Sequence, residues 1–350
     1  MSAKRFHYSG IIHVHSTYSD GQKSIPEIAA IANELKADFL LMSDHNTLQP
    51  KLDGLEGWYD NVLVGIGSEL NDKEDKNHYL AFNIEKSVAH KVPADEYVCA
   101  VRAQGGFGII AHPDESRTHI EAYPPYPWTM WDSDCYGGIE IWNQMSEWME
   151  GLTKFNKFWR AIHPRRSILS PKKETLARWD KENLKRKVTG IGGVDAHGHI
   201  HRMLGLFSVR IFRYKVSFRT IRTHILTERE LAKEDYSTAL QLVYDALREA
   251  RCFVSNSYLG NASAFRFWAE NDLGRAEVGS TLVLKETTYL FVTNSEKAET
   301  RLIYNGTEIA GEQGTEIKFK ITKPGIYRVE IYKSGKAWIF SNHIRIAKEQ

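Results

Sequence analysis

The chain has 350 residues, of which 42% are hydrophobic, so it is long enough to bury the cores of one large domain and a small second one. Its 46 lysine and arginine residues nearly balance 44 aspartate and glutamate residues. This balance indicates no broad basic field for a nucleic acid polymer and favours a small-molecule ligand, a nucleotide included. No apolar run reaches membrane-spanning length, so we expect no membrane partner.

The N-terminal segment and the cysteines favour the cytoplasm. Residues 1–8 lack the apolar stretch of a signal peptide. Cys99, Cys135 and Cys252 are widely spaced and odd in number, so we expect neither a disulfide framework nor a cysteine-based zinc site. The sequence therefore predicts a cytoplasmic protein, and it leaves the oligomeric state open.

The first 112 residues alternate short apolar runs with helical patterns. The patterns predict helices over 25–35, after Ser24 as N-cap, and over 97–103. Strands are predicted at 10–14, 39–42, 62–67, 79–83 and 108–111. Because parallel strands are usually joined by crossover helices, this alternation indicates an α/β domain with parallel strands.

Residues 113–187 interrupt this pattern with a proline-rich and then tryptophan-rich stretch. We interpret 113–187 as an insertion around one core strand at 137–142. Its aromatic side chains can either pack within helical lids or stack on an aromatic ligand. Six of the nine tryptophans lie here: Trp128, Trp131, Trp142, Trp148, Trp159 and Trp179. The strand and helix pattern resumes with a strand at 188–194, a helix at 237–249 and a strand at 252–255.

Beyond residue 262 the pattern changes to short alternating strands separated by turns such as Asn305-Gly306 and Lys323-Pro-Gly325. This pattern predicts a small all-β sandwich over 262–350. The chain would then consist of an α/β domain over 1–258 and this second domain. We expect no metal ligand from the second domain, because every candidate precedes residue 200.

Histidine and carboxylate residues cluster where the predicted strands end. In His13-Val-His15 the two imidazoles lie on one face of a strand, so both can bind one cation while Asp20 approaches from the loop. The full set is His13, His15, Asp20, His45, Glu69, His78, His112, Asp195 and His197. In β/α barrels the loops after the strands build the active site, whereas turn residues and core histidines would scatter. Histidine with carboxylate suits zinc, manganese or iron.

These segments resemble, in order, the motifs of the PHP (polymerase and histidinol phosphatase) family of metal-dependent phosphoesterases. The resemblance covers about residues 7–255. The insertion and the second domain resemble, more loosely, the CehA/McbA-like branch of that family. The matching segments are His13-Val-His15 with Asp20-Gly21, Ser43-Asp44-His45-Asn46-Thr47, Gly67-Ser-Glu69 with His78, Ala111-His112-Pro113, and Val194-Asp195-Ala-His197.

The resemblance implies a distorted seven-stranded β/α barrel that holds two or three divalent metal ions. It assigns His13, His15, Glu69 and Asp195 to the first metal. It assigns Glu69, His78 and His112 to the second, and Asp20, His45 and His197 to the third. Glu69 would bridge two cations, whereas Asp72 and Asp75 on the next loop are interpreted as solvated surface charges.

Such a cluster favours phosphoester hydrolysis, because adjacent cations lower the pKa of a bridging water and stabilise the charge that develops at phosphorus. The catalytic residues would be Glu69, Asp195 and His197. His199 and its neighbours His201 and Arg202 can protonate the leaving group or bind substrate, although they can equally form a polar loop. Arg117 can bind a substrate phosphate through its planar guanidinium, or lie on the surface.

Two other functions remain open. The same metal centre can cleave a carboxylic or carbamate ester or an amide. Arg117 and Arg202 favour a phosphate substrate, whereas Trp128 and Trp131 favour the apolar pocket of such an esterase. Alternatively, the barrel is a non-catalytic, metal-stabilised scaffold whose β-domain binds a carbohydrate or a protein. The complete set of ligands argues for an enzyme.

Overall fold

A computed structural model describes residues 5–117, 124–153, 155–199, 201–203, 207–209 and 212–349, with backbone alone at 201–203 and 207–209. The fold is mixed α/β. The helices are α1 (Ile25–Glu34), α2 (Gln49–Leu52), α3 (Ala94–Ala103), α4 (Gln144–Glu150), α5 (Lys157–Ile162), α6 (Lys173–Lys185), α7 (Tyr214–Ser217) and α8 (Tyr236–Arg248), with a 3-10 helix at Pro164–Ser167.

The first thirteen strands lie among these helices. They are β1 (Phe6–Ile12), β2 (Phe39–Met42), β3 (Gly57–Tyr59), β4 (Val62–Ile66), β5 (Ser68–Leu70), β6 (Tyr79–Phe82), β7 (Phe107–Ile110), β8 (Gly138–Asn143), β9 (Thr189–Gly193), β10 (His201–Met203), β11 (Phe207–Val209), β12 (Ile221–Thr227) and β13 (Cys252–Asn256). The strands and helices predicted before residue 258 match these elements to within a few residues.

The remaining strands follow without an intervening helix among the described residues. They are β14 (Arg266–Asn271), β15 (Gly274–Glu277), β16 (Thr281–Val283), β17 (Tyr289–Tyr304), β18 (Thr307–Lys320), β19 (Gly325–Lys333), β20 (Lys336–Ser341) and β21 (Ile344–Ala347). The predicted Asn305-Gly306 turn joins β17 to β18, with φ angles of 49° and 87° that match the tight hairpin turn favoured by these residue types.

Hydrogen bonds join the described strands into two large sheets and one hairpin. In the first sheet β1, β2 and β4 are parallel, and β12 and β13 continue it antiparallel from β1. The second sheet contains β5 to β9 in chain order. Single bridges at Val14–Ala196 and His45–Glu69 connect the two sheets, but no continuous ladder closes them among the described residues. The seven-stranded barrel is therefore not confirmed, whereas the mixed α/β fold is.

The second sheet is not wholly parallel, which corrects the sequence analysis. β7, β8 and β9 are parallel, but β6 is antiparallel to both β5 and β7. The physical reason is the connection, because residues 71–78 between β5 and β6 contain no helix that could carry the chain across the sheet. This reversal places the first residue of β6 beside the last residue of β7.

Helices α1 and α8 cover the first sheet with amphipathic faces. The carboxylate of Glu27 accepts a hydrogen bond from the backbone N–H of Ser24 at 2.9 Å, which stabilises the predicted start of α1. α1 buries Ile25, Ile28, Ala29 and Ala32. Asp235 caps α8 through the backbone N–H of Thr238 at 3.0 Å. These caps fix where each helix begins and therefore where the preceding loop ends.

The C-terminal strands are mostly antiparallel, but they are joined to the first sheet. β20 pairs with β13, with Ser341 opposite Phe253. Leu226 of β12 and Phe253 of β13 also belong to the same buried apolar cluster as Val329 and Ile339. A free-standing sandwich is therefore not confirmed. The boundaries of the two domains, and of the insertion at 113–187, stay predictions.

The tryptophans of the insertion mainly serve packing. Trp128, Trp142, Trp148 and Trp179 are at most 4% exposed and lie in the main apolar cluster. Trp159 is half exposed. The four buried rings therefore pack in the protein core and are not available to stack on a ligand.

Cys99 on α3 and Cys135 before β8 form a single disulfide, which the odd number and wide spacing of the cysteines did not indicate. Their separation of 36 residues hid this pairing, but α3 packs on β7, and β7 pairs with β8. Disulfides persist mainly in oxidising compartments, so the cytoplasmic location loses the support of cysteine usage. In the part of the chain that the structure describes, no helix is both long and apolar enough to cross a bilayer.

Candidate metal centre

The nine predicted ligands lie at one edge of the two sheets. His13 follows β1, His45 follows β2, Glu69 lies in β5, and His112 follows β7. Asp195 and His197 follow β9. His78 precedes β6, and the antiparallel direction of β6 brings it to the same edge, where its carbonyl accepts the Ala111 N–H at 3.0 Å. The structure thus brings all nine together, although their role as ligands stays a prediction.

Several of these residues adopt a left-handed backbone conformation. The φ angles are 69° at His13, 27° at His112 and 53° at Asp195. Non-glycine residues adopt such angles at a cost of about 1–3 kcal/mol each, and they are enriched at functional sites. Backbone hydrogen bonds hold the conformation, including that from Ala196 N–H to the His13 carbonyl at 3.3 Å. The strands thus end in turns that direct the side chains to one point.

Glu69 lies at the centre of the cluster, with its two carboxylate oxygens facing different imidazoles. Oε1 lies 2.8 Å from Nδ1 of His78 and 3.3 Å from Nε2 of His112. Oε2 lies 3.2 Å from Nε2 of His13 and 3.1 Å from Nε2 of His15. The carboxylate is 1% exposed. This arrangement allows one carboxylate to contribute to two neighbouring cation sites.

Asp195 and Asp20 serve the rest of the cluster. Oδ1 of Asp195 lies 3.5 Å from Nε2 of His13 and 3.4 Å from Nδ1 of His197. Oδ1 of Asp20 lies 3.3 Å from Nε2 of His197 and 3.8 Å from Nε2 of His45. The Asp20 side chain is 47% exposed, so this side of the cluster faces solvent. Solvent exposure there provides an entry for ligands.

Four overlapping groups of these side chains have ligand atoms within 4.8 Å of one another. The nine residues are grouped differently from the predicted ligand sets, because His78 and His112 fall in separate groups and His15 joins the group of Asp20. The groups are His15, Asp20, His45 and His197; His13, Glu69 and His112; His13, His15 and Asp195; and His45, Glu69 and His78.

The chemistry of the donor set fits divalent cations. Burial and the neighbouring His197 and His45 lower the pKa of His15 to about 3, which leaves its imidazole neutral. Burial alone would raise the pKa of Asp195, but the nearby His13 and His197 hold it well below its usual range. Burial alone would lower the pKa of His13, but the neighbouring carboxylates raise it, so this imidazole holds a proton that a bound cation would displace.

Buried atoms without partners support the same fit. Among the described residues, Nδ1 and Nε2 of His15, Nε2 of His78 and Nδ1 of His112 have no hydrogen-bond partner. A buried polar atom without a partner costs about 1–3 kcal/mol. Nε2 of His15 lies close to Glu69 but does not form a hydrogen bond with it. Coordination of a cation between such atoms would remove this cost.

Glu140 is a residue of the site that sequence reasoning missed. Its Oε1 lies 3.0 Å from Nδ1 of His13, on the side of the ring away from Glu69. Its Oε2 accepts the backbone N–H of His112 at 2.8 Å and the side-chain amide of Asn143 at 2.9 Å. A Cβ on Gly193 would lie 1.9 Å from Oε1, so this carboxylate requires glycine there. Glu140 therefore orients two predicted ligands from behind.

The signal for Glu140 was present but ambiguous. It lies within the predicted strand at 137–142, where a carboxylate in an apolar run is unusual because burial of an unpaired charge is costly. Without the partner strand, nothing in the sequence indicated which side chain it faces. The sequence likewise indicated no separate role for Asp44, yet this residue fixes the loop after His15 by accepting the Ser16 N–H at 2.7 Å.

The residues predicted to bind substrate differ in where they lie relative to the metal centre. The guanidinium of Arg117 donates to the buried carboxylate of Glu115, which in turn lies 3.8 Å from Nδ1 of His112. Arg117 is thus near the centre, but its charge is balanced. His199 stacks on His197, with ring centroids 4.8 Å apart, and lies 3.7 Å from Asp20 at the solvent side. The side chains of His201 and Arg202 lie outside the described residues.

Asp75 is closer to the centre than the sequence analysis expected. Its Oδ1 lies 3.6 Å from Nε2 of His78 and accepts a hydrogen bond from Asn71 at 2.9 Å. The side chain is 63% exposed. Asp75 is therefore an exposed charge that also lies beside a predicted ligand, so it can orient His78 from the solvent side.

Comparison with known proteins gives distant structural similarity only. No protein-family model matches the chain, and no curated protein matches its sequence. A two-domain protein from Bacteroides vulgatus that contains a predicted PHP-like metal-dependent phosphoesterase is 14% identical, with 97% of this chain and 95% of that chain covered and a TM-score of 0.46. PsfC from Pseudomonas syringae is 12% identical, with 69% and 89% covered and a TM-score of 0.43.

A third similar structure is an amidohydrolase from Chromobacterium violaceum with bound sulfate. It is 14% identical, with 54% of this chain and 87% of that chain covered and a TM-score of 0.32. All three TM-scores lie below 0.5, so the structural similarity is loose even where nearly the whole chain is covered. A function for this chain must therefore rest on its own residues.

Proposed function

We propose that this protein is a metal-dependent hydrolase of the PHP type, which cleaves a small phosphate ester. We also propose, on the looser resemblance, that it belongs to the CehA/McbA-like branch. The bound ions would be zinc, manganese or iron. The residues that would hold two or three ions are the nine predicted ligands.

The observation that carries the proposal is the position of Glu69. A fully buried carboxylate with its two oxygens facing two separate groups of imidazoles has the geometry of a bridge between two cations. Imidazoles held for structural reasons would normally satisfy both ring nitrogens, which His15 does not do among the described residues.

The side chains of this chain would divide the work. Bound divalent cations supply Lewis acidity and a lowered water pKa, the chemistry that phosphoester hydrolysis requires. Glu69 and Asp195 hold the imidazoles in position and offset the cationic charge. Glu140 accepts at Nδ1 of His13 and thereby leaves Nε2 directed into the centre. His199, at the solvent side beside Asp20, is placed to give a proton to a leaving group.

Hydrolysis of a carboxylic or carbamate ester, or of an amide, is the second candidate. It is favoured by the pairing of Arg117 with Glu115, because an arginine that is already balanced is a weaker anchor for a substrate phosphate. It is also favoured by Tyr126, which stacks on His78 with ring centroids 5.0 Å apart and so brings an aromatic ring to the cluster.

A substrate screen distinguishes these candidates. The metal-loaded protein would be tested with phosphomonoesters, phosphodiesters, carboxylic esters, carbamates and amides, in parallel with each of the three metals. We expect phosphoester hydrolysis that a chelator abolishes. Exclusive turnover of the carbonyl substrates would favour the second candidate. A fully loaded protein without any turnover would contradict both and favour the metal-stabilised binding scaffold.

A further inference from the structure

A second group of charged residues lies outside the metal centre. Two adjoining surface cavities of about 420 and 440 Å³ share Arg165 and Tyr258 in their walls. Among the described residues, their walls contain no carboxylate and five arginines: Arg165, Arg166, Arg213, Arg219 and Arg222. We call this concave surface the arginine groove. Five cations without an acidic wall residue create a strongly positive potential for a ligand.

The arginines of the groove lack ion-pair partners. Among the described residues, no carboxylate oxygen lies within 4.0 Å of any of the five guanidinium groups. Arginines elsewhere in the chain include paired ones, such as Arg328 with Asp180 at 2.7 Å, and ones that donate to a backbone carbonyl, such as Arg186. The groove differs from these in gathering five guanidinium groups on one concave surface.

Arg222 makes the groove more than an exposed basic patch. It is 6% exposed, and its guanidinium donates, among the described residues, only to the carbonyls of Phe218 at 3.0 Å and Leu35 at 3.1 Å. Asp38 acts on it electrostatically but lies beyond ion-pair distance. A buried cation without a carboxylate partner is costly, and an anion bound in the groove would compensate it.

Tyr258 organises the wall that the two cavities share. Its hydroxyl accepts a hydrogen bond from Nε of Arg166 at 3.3 Å, and the guanidinium of Arg165 stacks on its ring at 4.8 Å. The preceding Ser257 is fixed by its hydroxyl, which donates to the Thr220 carbonyl at 2.7 Å. The two guanidinium groups are therefore held in place before a ligand arrives, which lowers the entropic cost of binding.

We propose that the arginine groove binds a ligand that carries two or more phosphate groups. One guanidinium group can bind two oxygens of a phosphate through two parallel hydrogen bonds. Five guanidinium groups spread over two cavities are more than a single phosphate can contact. The phosphates could belong to a soluble oligophosphate or to the headgroups of an anionic bilayer. The second source is suggested by α5 beside the groove, where Trp159 and Ile162 are 50% and 73% exposed.

The groove is separate from the metal centre but linked to it. Arg213 precedes Tyr214, whose hydroxyl lies 2.8 Å from the carbonyls of both His15 and His197. A ligand that shifts Arg213 could therefore affect the turns that carry two predicted metal ligands. The proposal does not depend on hydrolase activity, because the described walls of the two cavities contain none of the nine predicted metal ligands.

Calorimetric titration of the metal-loaded protein with inorganic pyrophosphate tests the soluble source, with metal content measured before and after. Sedimentation with phosphatidylcholine vesicles containing phosphatidylglycerol tests the lipid source, with pure phosphatidylcholine as reference. The test variant is Arg166→Ser with Arg219→Ser. The matched control is Arg229→Ser with Lys233→Ser, which removes the same charge from exposed positions beyond the other end of β12.

We expect the wild type and the control to bind at least one of the two probes. The test variant should bind that probe about tenfold more weakly or worse, and higher salt should weaken the wild-type binding. Binding of pyrophosphate identifies a soluble ligand, and binding of vesicles alone identifies headgroups. The proposal is overturned if the wild type binds neither probe, or if the test variant binds as tightly as the control. Failure of the hydrolase assay would not alter either outcome.

Discussion

Two buried clusters of charge in this molecule differ in how their carboxylates are compensated. In the network between α6 and the C-terminal strands, both oxygens of Asp180 accept hydrogen bonds from Arg328, at 2.7 and 2.8 Å, and Arg328 also donates to Glu330 at 2.7 Å. In the metal centre, the described ion-pair partners of the Glu69 carboxylate are all imidazoles. The first cluster carries its own cation, whereas the second provides the arrangement that an added cation would complete.

The comparison shows that burial of charge does not by itself mark a functional site. A network compensated by a guanidinium serves to connect elements of the fold, and its removal should affect stability. Substitutions in a cluster of carboxylates and imidazoles with unsatisfied nitrogen atoms should affect ligand binding and turnover instead. Substitutions in the two clusters should therefore have separable effects.

The largest effect is expected for Glu69→Gln. The amide keeps the shape but loses the charge that would bridge two cations, so metal content should fall and turnover should drop by several orders of magnitude. Glu74→Gln is the matched control, because Glu74 lies on the adjacent loop and is 76% exposed. Equal metal content and turnover in the two variants would remove Glu69 from the site.

Asp180→Asn should produce the opposite pattern. It leaves Arg328 as a buried cation without its main partner, so the free energy of unfolding should decrease by about 3–5 kcal/mol while metal content per folded chain is unchanged. Asp134→Asn is the control, at a side chain that is 85% exposed. Denaturant unfolding measures the change, and a loss of metal with unchanged stability would contradict the distinction between the clusters.

The stability contribution of Asp180 should also depend on pH. Burial alone would raise its pKa, but hydrogen bonds from Arg328 and His343 lower it to about 2 from an ordinary value of 3.8. A lowered pKa stabilises the folded state above the unfolded value, and this stabilisation is lost as pH falls from about 4 towards 2. The difference in unfolding free energy between wild type and Asp180→Asn should therefore shrink over that range, and a constant difference would refute it.

A smaller effect is expected for Glu140→Gln, which changes a residue that orients a predicted ligand of the metal centre from behind. Loss of the carboxylate behind His13 should weaken metal affinity by roughly 10–100-fold, because such partners orient the ligand ring. Turnover should then recover at high metal concentration, whereas a purely structural role would lower stability without changing metal affinity. Titration of the stripped protein with metal measures this directly.

The sequence predicted most of the site but less of the sheet topology. Strand ends can be read from apolar runs, so His13, His45, His112 and Asp195 were assigned correctly to one edge. The direction of β6 could not be read, because the apolar run at 79–83 has the same pattern in either orientation. His78 was therefore the predicted ligand whose placement most needed the structure.

Residues that act through others were the hardest to predict. Glu140 contacts His13 across 127 positions of sequence, and the Cys99–Cys135 disulfide likewise depends on the packing of α3 against the second sheet. The link between β13 and β20 was also hidden, because the change to alternating strands after residue 262 indicates a new pattern but not its hydrogen-bond partner.

Anomalous diffraction from crystals of protein supplied with manganese, zinc or iron tests most directly whether the cluster around Glu69 is a metal centre. We predict two or three anomalous peaks within the cluster, with one carboxylate oxygen of Glu69 on each of two ions and imidazole nitrogens at about 2.0–2.3 Å. We predict no peak at the Asp180 network. A metal-saturated crystal without a peak beside Glu69 would show that the cluster is not a metal centre.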